Sequence, residues 1–283
     1  MSGREYPMFL TMRILIAIFC LCVLPATGAS TALAASTEWV DLGGGKARLL
    51  ALADPAGDQL EAVLEVELEP GWKTYWREPS GPGIPPMFDF ARSRGIAFDE
   101  PRFPVPGYLE AGGAKFAGYK NTVRFLFKGR RMIAGADAEI GLDVMIGVCE
   151  EICIPATASF TLTGAELRQS DLWAMQAIAS AREKLPAAPN EEMRIVDLSR
   201  IDDLTLRVEA KVPPDADAAD LFVEAPAGWY VAPAKLLSMS VGVATFELPA
   251  EKGSSAANGK ARFRLTLSIG EQSVEQQMTL SSN

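Results

Sequence analysis

Along the first half of the chain, apolar and polar residues alternate with period two in short runs. "LEAVLEVELEP" sets Leu60, Ala62, Leu64, Val66 and Leu68 against mostly polar neighbours, and Pro70-Gly71 ends the run. That is the pattern of a half-buried β-strand stopped by a turn. "TVRFLFKG", "AEIGLDVMIGV" and "ATASFTLTG" read the same way, separated by Pro- and Gly-rich connections. Such a set predicts a β-sandwich.

The period changes at Ser170. "SDLWAMQAIASAREKL", residues 170–185, carries Leu172, Met175, Ile178 and Ala179 at helical spacing, opens on Ser170 as N-cap and stops before Pro186. One helix is expected there. "PAAPNEE" then reads as a boundary, and from Met193 the alternation resumes in "LTLRVEAKV", "LFVEAP", "ATFELP", "ARFRLTLSI" and "SVEQQMTL". The expected fold is all-β, with two sandwich domains joined by a short helix and linker. The expected boundaries are 1–35 for a leader, 36–168 for the first domain, 169–190 for the helix and linker, and 191–283 for the second domain. A chain of 283 residues suits two ordinary domains. An internal echo accompanies this division: "ELEPGWKTYW", residues 67–76, and "VEAPAGWYVA", residues 223–232, both place Pro and Gly-Trp just after an alternating strand.

The N-terminus sets the redox surroundings. Arg4 and Arg13 lead into "ILIAIFCLCVL" and then into the small residues of "ATGASTALAAS". This is the pattern of a secretory signal peptide, cleaved near Ala34 or Ala35. Phe19 and Leu21 stand before Cys20 and Cys22 where a lipoprotein signal has a small residue, so no lipid anchor is expected. No later segment approaches 18 uninterrupted apolar residues, so no membrane insertion is expected after cleavage. An exported chain meets conditions in which disulfides persist.

Charge and composition narrow the chemistry. The chain has 27 Lys and Arg against 36 Asp and Glu, a net charge of −9. A nucleic acid or an anionic membrane needs a basic footprint, so neither is an expected partner. There is no histidine, which excludes Ser-His and Cys-His catalysis and the commonest zinc and copper sites.

What remains is "GVCEEICIP", residues 147–155, with Cys149 and Cys153. In an extended strand the two Cα atoms would lie roughly 13 Å apart, beyond the ~7 Å reach of a disulfide, so the chain must turn between them. A tight strand-to-strand connection fits Ile154-Pro155 and the preceding strand better than a helical turn. Three readings stay open on the residues alone: a redox pair, a structural disulfide, and a metal clip. A disulfide closing five residues contributes roughly 2 kcal/mol, against nearly 5 for a loop of about 100, so as a mere stabiliser it is poorly placed. Two thiolates leave a tetrahedral site half empty; Met145 and other methionines could complete a copper(I) site, though nothing in their spacing requires it.

"GWKTYWREPSGPGIPPMFDF", "KFAGYKNTVRF" and "VCEEICIPATASFTL" together resemble the periplasmic N-terminal region of the thiol:disulfide interchange protein DsbD, and within that family the ScsB (suppressor of copper sensitivity) type. The resemblance covers roughly residues 38–165 in its motifs and the later β-domain in order and character. It implies an immunoglobulin-like sandwich; an exchange protein of this kind is expected to work without cofactor, and the export signal and absence of histidine lead to the expectation that no metal is bound. It further implies that Cys153 forms the mixed disulfide with a partner and Cys149 resolves it. A cap loop at Lys115, Phe116, Gly118, Tyr119 and Lys120 would shield the pair, with Phe116 as its lid; the competing role for Phe116 and Tyr119 is anchoring of the loop into the sandwich, and Trp72, Tyr75 and Trp76 read first as core and rim packing and second as an aromatic surround. Glu150 and Glu151 beside the thiols disfavour thiolate on charge grounds.

The implied partners are periplasmic thioredoxin-like or disulfide-isomerase proteins. In the family a polytopic membrane domain and a thioredoxin-like domain follow, and this sequence ends at Asn283 with neither. The implied electron donor is therefore a separate membrane protein. The competing expectation is a non-catalytic periplasmic binding module with a structural disulfide, its ligand a protein or copper(I).

Overall fold

The computed structural model describes Gly3 and residues 33–54, 57–169, 171–254, 256 and 260–280. Most of the expected signal peptide, including Cys20 and Cys22, and the expected cap Ser170 lie outside the described residues. The first described strand, Leu33–Ser36, pairs with Gly45–Ala53, so the expected cleavage point at Ala34 or Ala35 falls within a strand.

The alternating segments form strands, and all their ladders are antiparallel. One sheet runs in the order Leu33–Ser36, Gly45–Ala53, Gln59–Leu68, Thr122–Arg131, Ile96–Phe98, with Val40–Asp41 also on Gly45–Ala53. The second runs Cys153–Leu162, Ile140–Cys149, Lys73–Tyr75, Ala114–Lys120, Gly107–Ala111, with Met87–Asp89 also on Ile140–Cys149. The inward residues of both sheets, among them Leu64, Val66, Phe125, Phe127, Ile146 and Val148, close one core.

Helix Leu172–Glu183 lies on the outer face of the first of these sheets, and its N-cap is Asp171, whose carboxylate accepts from the Trp173 and Ala174 amides. The buried stripe differs from the expected one. Ala174, Ala177, Ile178 and Ala181 face Leu50, Val63 and Leu126, whereas Leu172 is 78% exposed and Met175 is only partly buried. Small side chains let the helix lie close to the sheet, so the alanines take the inner positions. For the same reason Gln59–Leu68 is not half-buried in its middle. Val63 sits under the helix, and Glu65 on that outer face is buried between the guanidinium groups of Arg48 and Arg124.

The strands after the helix form a second pair of antiparallel sheets. Arg194–Asp202, Thr205–Lys211, Val243–Lys252 and Trp229–Val231 make one, with Lys235–Ser240 also on Val243–Lys252; Asp220–Glu224, Arg262–Ile269 and Gln272–Thr279 make the other. Their own core gathers Leu206, Val208, Phe246, Phe263 and Leu265. The two sandwiches belong to one compact unit. Phe222 from the second is buried in the core of the first, edge-on to Trp76 at 6.0 Å. Beside it the Arg77 guanidinium meets Glu224 at 2.6 Å and Glu275, and the Tyr108 hydroxyl donates to the Leu221 carbonyl at 2.7 Å.

Candidate redox site

Cys149 is the last residue of Ile140–Cys149 and Cys153 the first of Cys153–Leu162, directly opposite each other across the ladder. Glu150, Glu151 and Ile152 make the turn, all exposed, with Ile152 77% so. The turn required by the spacing is therefore a hairpin end, and the two cysteines are joined by a disulfide with Cα atoms 4.2 Å apart.

Strand alternation fixes which side of the sheet the bond occupies. Val144, Ile146 and Val148 point into the sandwich core, so Cys149 points out of the opposite face. Tyr75, Phe116 and Cys149 form a separate small cluster there, with Ile84, Leu109, Ala111 and Cys153 packed against it. Cys149 is fully buried at 0% exposure, and Cys153 is half-buried.

Tyr75 is held from several sides. Its strand lies between Ile140–Cys149 and Ala114–Lys120, where it pairs with Gly118. A Cβ on Gly147 would come 3.0 Å from Tyr75 Cδ2 and 2.7 Å from Ile84 Cβ, and one on Gly83 would come 2.6 Å from Tyr75 Cε1. The Phe116 ring stands 4.8 Å from the Tyr75 ring at 47°. So fixed, the Tyr75 hydroxyl lies 2.9 Å from Cys149 Sγ and 2.7 Å from Cys153 Sγ. Disulfide sulfurs carry no hydrogen, so the phenol is the donor. Burial pushes its pKa above the ordinary tyrosine value, keeping the proton on.

The expected site residues divide between the two faces of this sheet. Phe116 and Gly118 lie with Tyr75 on the cysteine face, and the Phe116 ring folds back over Gly118, where a Cβ would sit 2.8 Å from Phe116 Cε2. Tyr119 points the other way, donating to the Pro104 carbonyl and packing on Phe125 in the core. Trp76 is also core, and Trp72 packs partly against it and over Gly44. Lys115 stands 4.4 Å over the Tyr108 ring, and Lys120 is exposed opposite Lys73.

One expectation needs correcting. Residues 115–120 are not a loop but most of strand Ala114–Lys120, with Phe116 only 2% exposed. The segment is paired on both sides, with Lys73–Tyr75 and with Gly107–Ala111, and residues 116–119 are buried in succession. Sequence reasoning did not single out Gly147, Gly83, Ile84 or Leu109, and it named Tyr75 only as part of a surround. The signal for Gly147 was present: a glycine two residues before a cysteine, on the same face of a strand.

Among the described residues, no three His, Cys, Asp or Glu side chains gather as a metal set. No described helix is long and apolar enough to cross a membrane.

These elements make a β-sandwich bearing a hairpin disulfide under an aromatic cover. Residues 46–165 match the family model described as thiol:disulfide interchange protein DsbD, N-terminal, so this stretch is a DsbD N-terminal-type domain with the all-β, immunoglobulin-like fold. The fold extends further than that match. The crystal structure of the N-terminal periplasmic domain of ScsB from Proteus mirabilis superposes with a TM-score of 0.73 at 18% identity, covering 88% of this chain and 99% of that chain. A lectin from Pleurotus ostreatus in complex with GalNAc aligns over 89% of this chain and 86% of that chain at 10% identity, with a TM-score of only 0.26. No curated protein matches the sequence at a significant level.

Proposed function

We propose that this chain is a periplasmic thiol–disulfide exchange protein that passes electrons from a membrane reductase to periplasmic thioredoxin-like or disulfide-isomerase proteins through Cys149 and Cys153. The observation that carries this reading is the unequal exposure of the two sulfur-bearing residues at a hairpin tip. A partner thiolate needs an open line to one sulfur, and Cys153 is the half-buried member while Cys149 is closed off. Cys153 thus takes the mixed disulfide and Cys149 resolves it. The exposed Ile152 beside them offers a partner apolar surface at the point of contact.

Full burial of Cys149 beneath Tyr75 and Phe116 favours a second reading, a binding module whose disulfide only stabilises. Trapping separates the two. In the exchange reading, Cys149→Ala accumulates a mixed disulfide with a thioredoxin-like partner and Cys153→Ala forms none. A redox titration against glutathione or thioredoxin shows a reversible midpoint in the folded state. Failure of both variants to trap, with a disulfide reducible only after unfolding, sinks the exchange reading.

A further inference from the structure

The exchange reading leaves one chemical problem open. When a thiolate attacks Cys153 Sγ, a new sulfur–sulfur bond forms there, the Cys149–Cys153 bond breaks, and its electron pair leaves on Cys149 Sγ. That anion is born in a fully buried position, lined by Tyr75 and Phe116 with Ile84 and Leu109 beside them. An uncompensated charge in such a place is costly. Among the described residues, the one hydrogen-bond donor that reaches either sulfur is the Tyr75 hydroxyl, and its only hydrogen bonds are to those two atoms.

We infer that Tyr75 is a catalytic residue of this site, its hydroxyl receiving the leaving thiolate of Cys149 as the disulfide opens. The inference rests on the exchange reading above. A hydrogen bond to a neutral disulfide sulfur is weak, and the same bond to a thiolate is charge-assisted, so the interaction strengthens as the bond breaks. The donor is already in place. Gly147 and Gly83 leave room for the ring, Phe116 backs it, and the 2.9 Å contact to Cys149 Sγ needs no rearrangement. The proton stays on Tyr75, and the sequence closes when the second thiolate of a dithiol reductant attacks its own sulfur in the mixed disulfide. Cys153 then leaves as thiolate, the reductant becomes a disulfide, and both protein thiolates take up protons from water.

The test uses the full mature chain and two reductants that share only the leaving sulfur, dithiothreitol and tris(2-carboxyethyl)phosphine. Tyr75→Phe keeps the ring and removes the donor. Both reductants should open the variant's disulfide more slowly by about tenfold to a hundredfold, the worth of a hydrogen bond to a charged group. Slowing with only one reductant would point to access of the attacker and would overturn the inference, as would an unchanged or faster rate with both. A wild-type disulfide that neither reductant opens in the folded protein sinks the exchange reading and this inference together. A reducible wild type with an unaffected Tyr75→Phe sinks the hydroxyl's role alone. An unchanged denaturant midpoint in the variant assigns the rate change to the donor rather than to loosened packing.

Discussion

The two sandwiches repeat one turn and put it to different uses. In the first, the Trp72 amide donates to the Glu69 carbonyl at 3.0 Å, with Gly71 at φ 93°; in the second, the Trp229 amide donates to the Pro226 carbonyl at 3.0 Å, with Gly228 at φ 82°. Both glycines occupy the third turn position, where a positive φ is required. A short strand follows Trp72 and another begins at Trp229. In the first sandwich that strand is flanked on both sides, and three residues after Trp72 comes Tyr75 under the disulfide. In the second the strand pairs only with Val243–Lys252, and three residues after Trp229 comes the exposed Ala232. A local turn thus sets the entry of the chain, and the neighbouring strands decide whether the residue three places on becomes part of a site.

Five substitutions press on this contrast. The largest effect is expected at Trp229, 9% exposed and edge-on to Phe263 at 5.2 Å. Trp229→Ala should cost about 4 kcal/mol by denaturant titration, and Trp72→Ala, half-exposed at the equivalent turn, less than half of that. Equal losses would mean that both tryptophans anchor their sandwiches in the same way. Next comes Phe116, which belongs to the outer cluster of the first sandwich. Phe116→Ala should cost about 3 kcal/mol and speed reduction by dithiothreitol, because the ring both packs and covers. A stability loss with unchanged kinetics would reduce the cluster to packing alone. The smallest effect belongs to the turn glycines. Gly71→Ala and Gly228→Ala should each cost about 1 kcal/mol from backbone strain, with Gly71→Ala the worse because its Cβ would come 3.1 Å from the Glu150 carboxylate. Thermal midpoints that ranked Gly228→Ala lower would show the Glu150 contact to be without consequence.

Much of this architecture is legible in the order of residues. Period two marks Gln59–Leu68, Thr122–Arg131 and Ile140–Cys149, and the spacing of Cys149 and Cys153 demands a turn. What alternation cannot tell is whether a strand's second face is bare or covered. Val63 and Glu65 read as outward-facing, and both are buried because a helix and two arginines lie over them. The cysteine cluster escapes for the same reason. Cys149, Gly147 and Phe116 share the face opposite the core, and that face becomes an interior through packing that alternation does not reveal, with Ile84 at Gly147 and Leu109 and Ala111 against the cluster. The helix phase was misread because alanine carries little weight as an apolar signal, yet close packing selects it.

Asp220–Glu224 shows where a unit of inheritance and a unit of packing part company. Leu221 and Val223 face their own sandwich, while Phe222 between them fills the other. The family match stops at residue 165, yet the interior that it describes is not closed until Phe222 arrives. A fragment cut at the end of the match would carry a hole beside Trp76 and an arginine at position 77 stripped of both its carboxylates. Tyr75, Trp76 and Arg77 are consecutive, so the damage would start at the residue next to the one that touches the sulfurs. The cysteine hairpin and the second sandwich are thus linked through the chain segment that carries the residue touching the sulfurs.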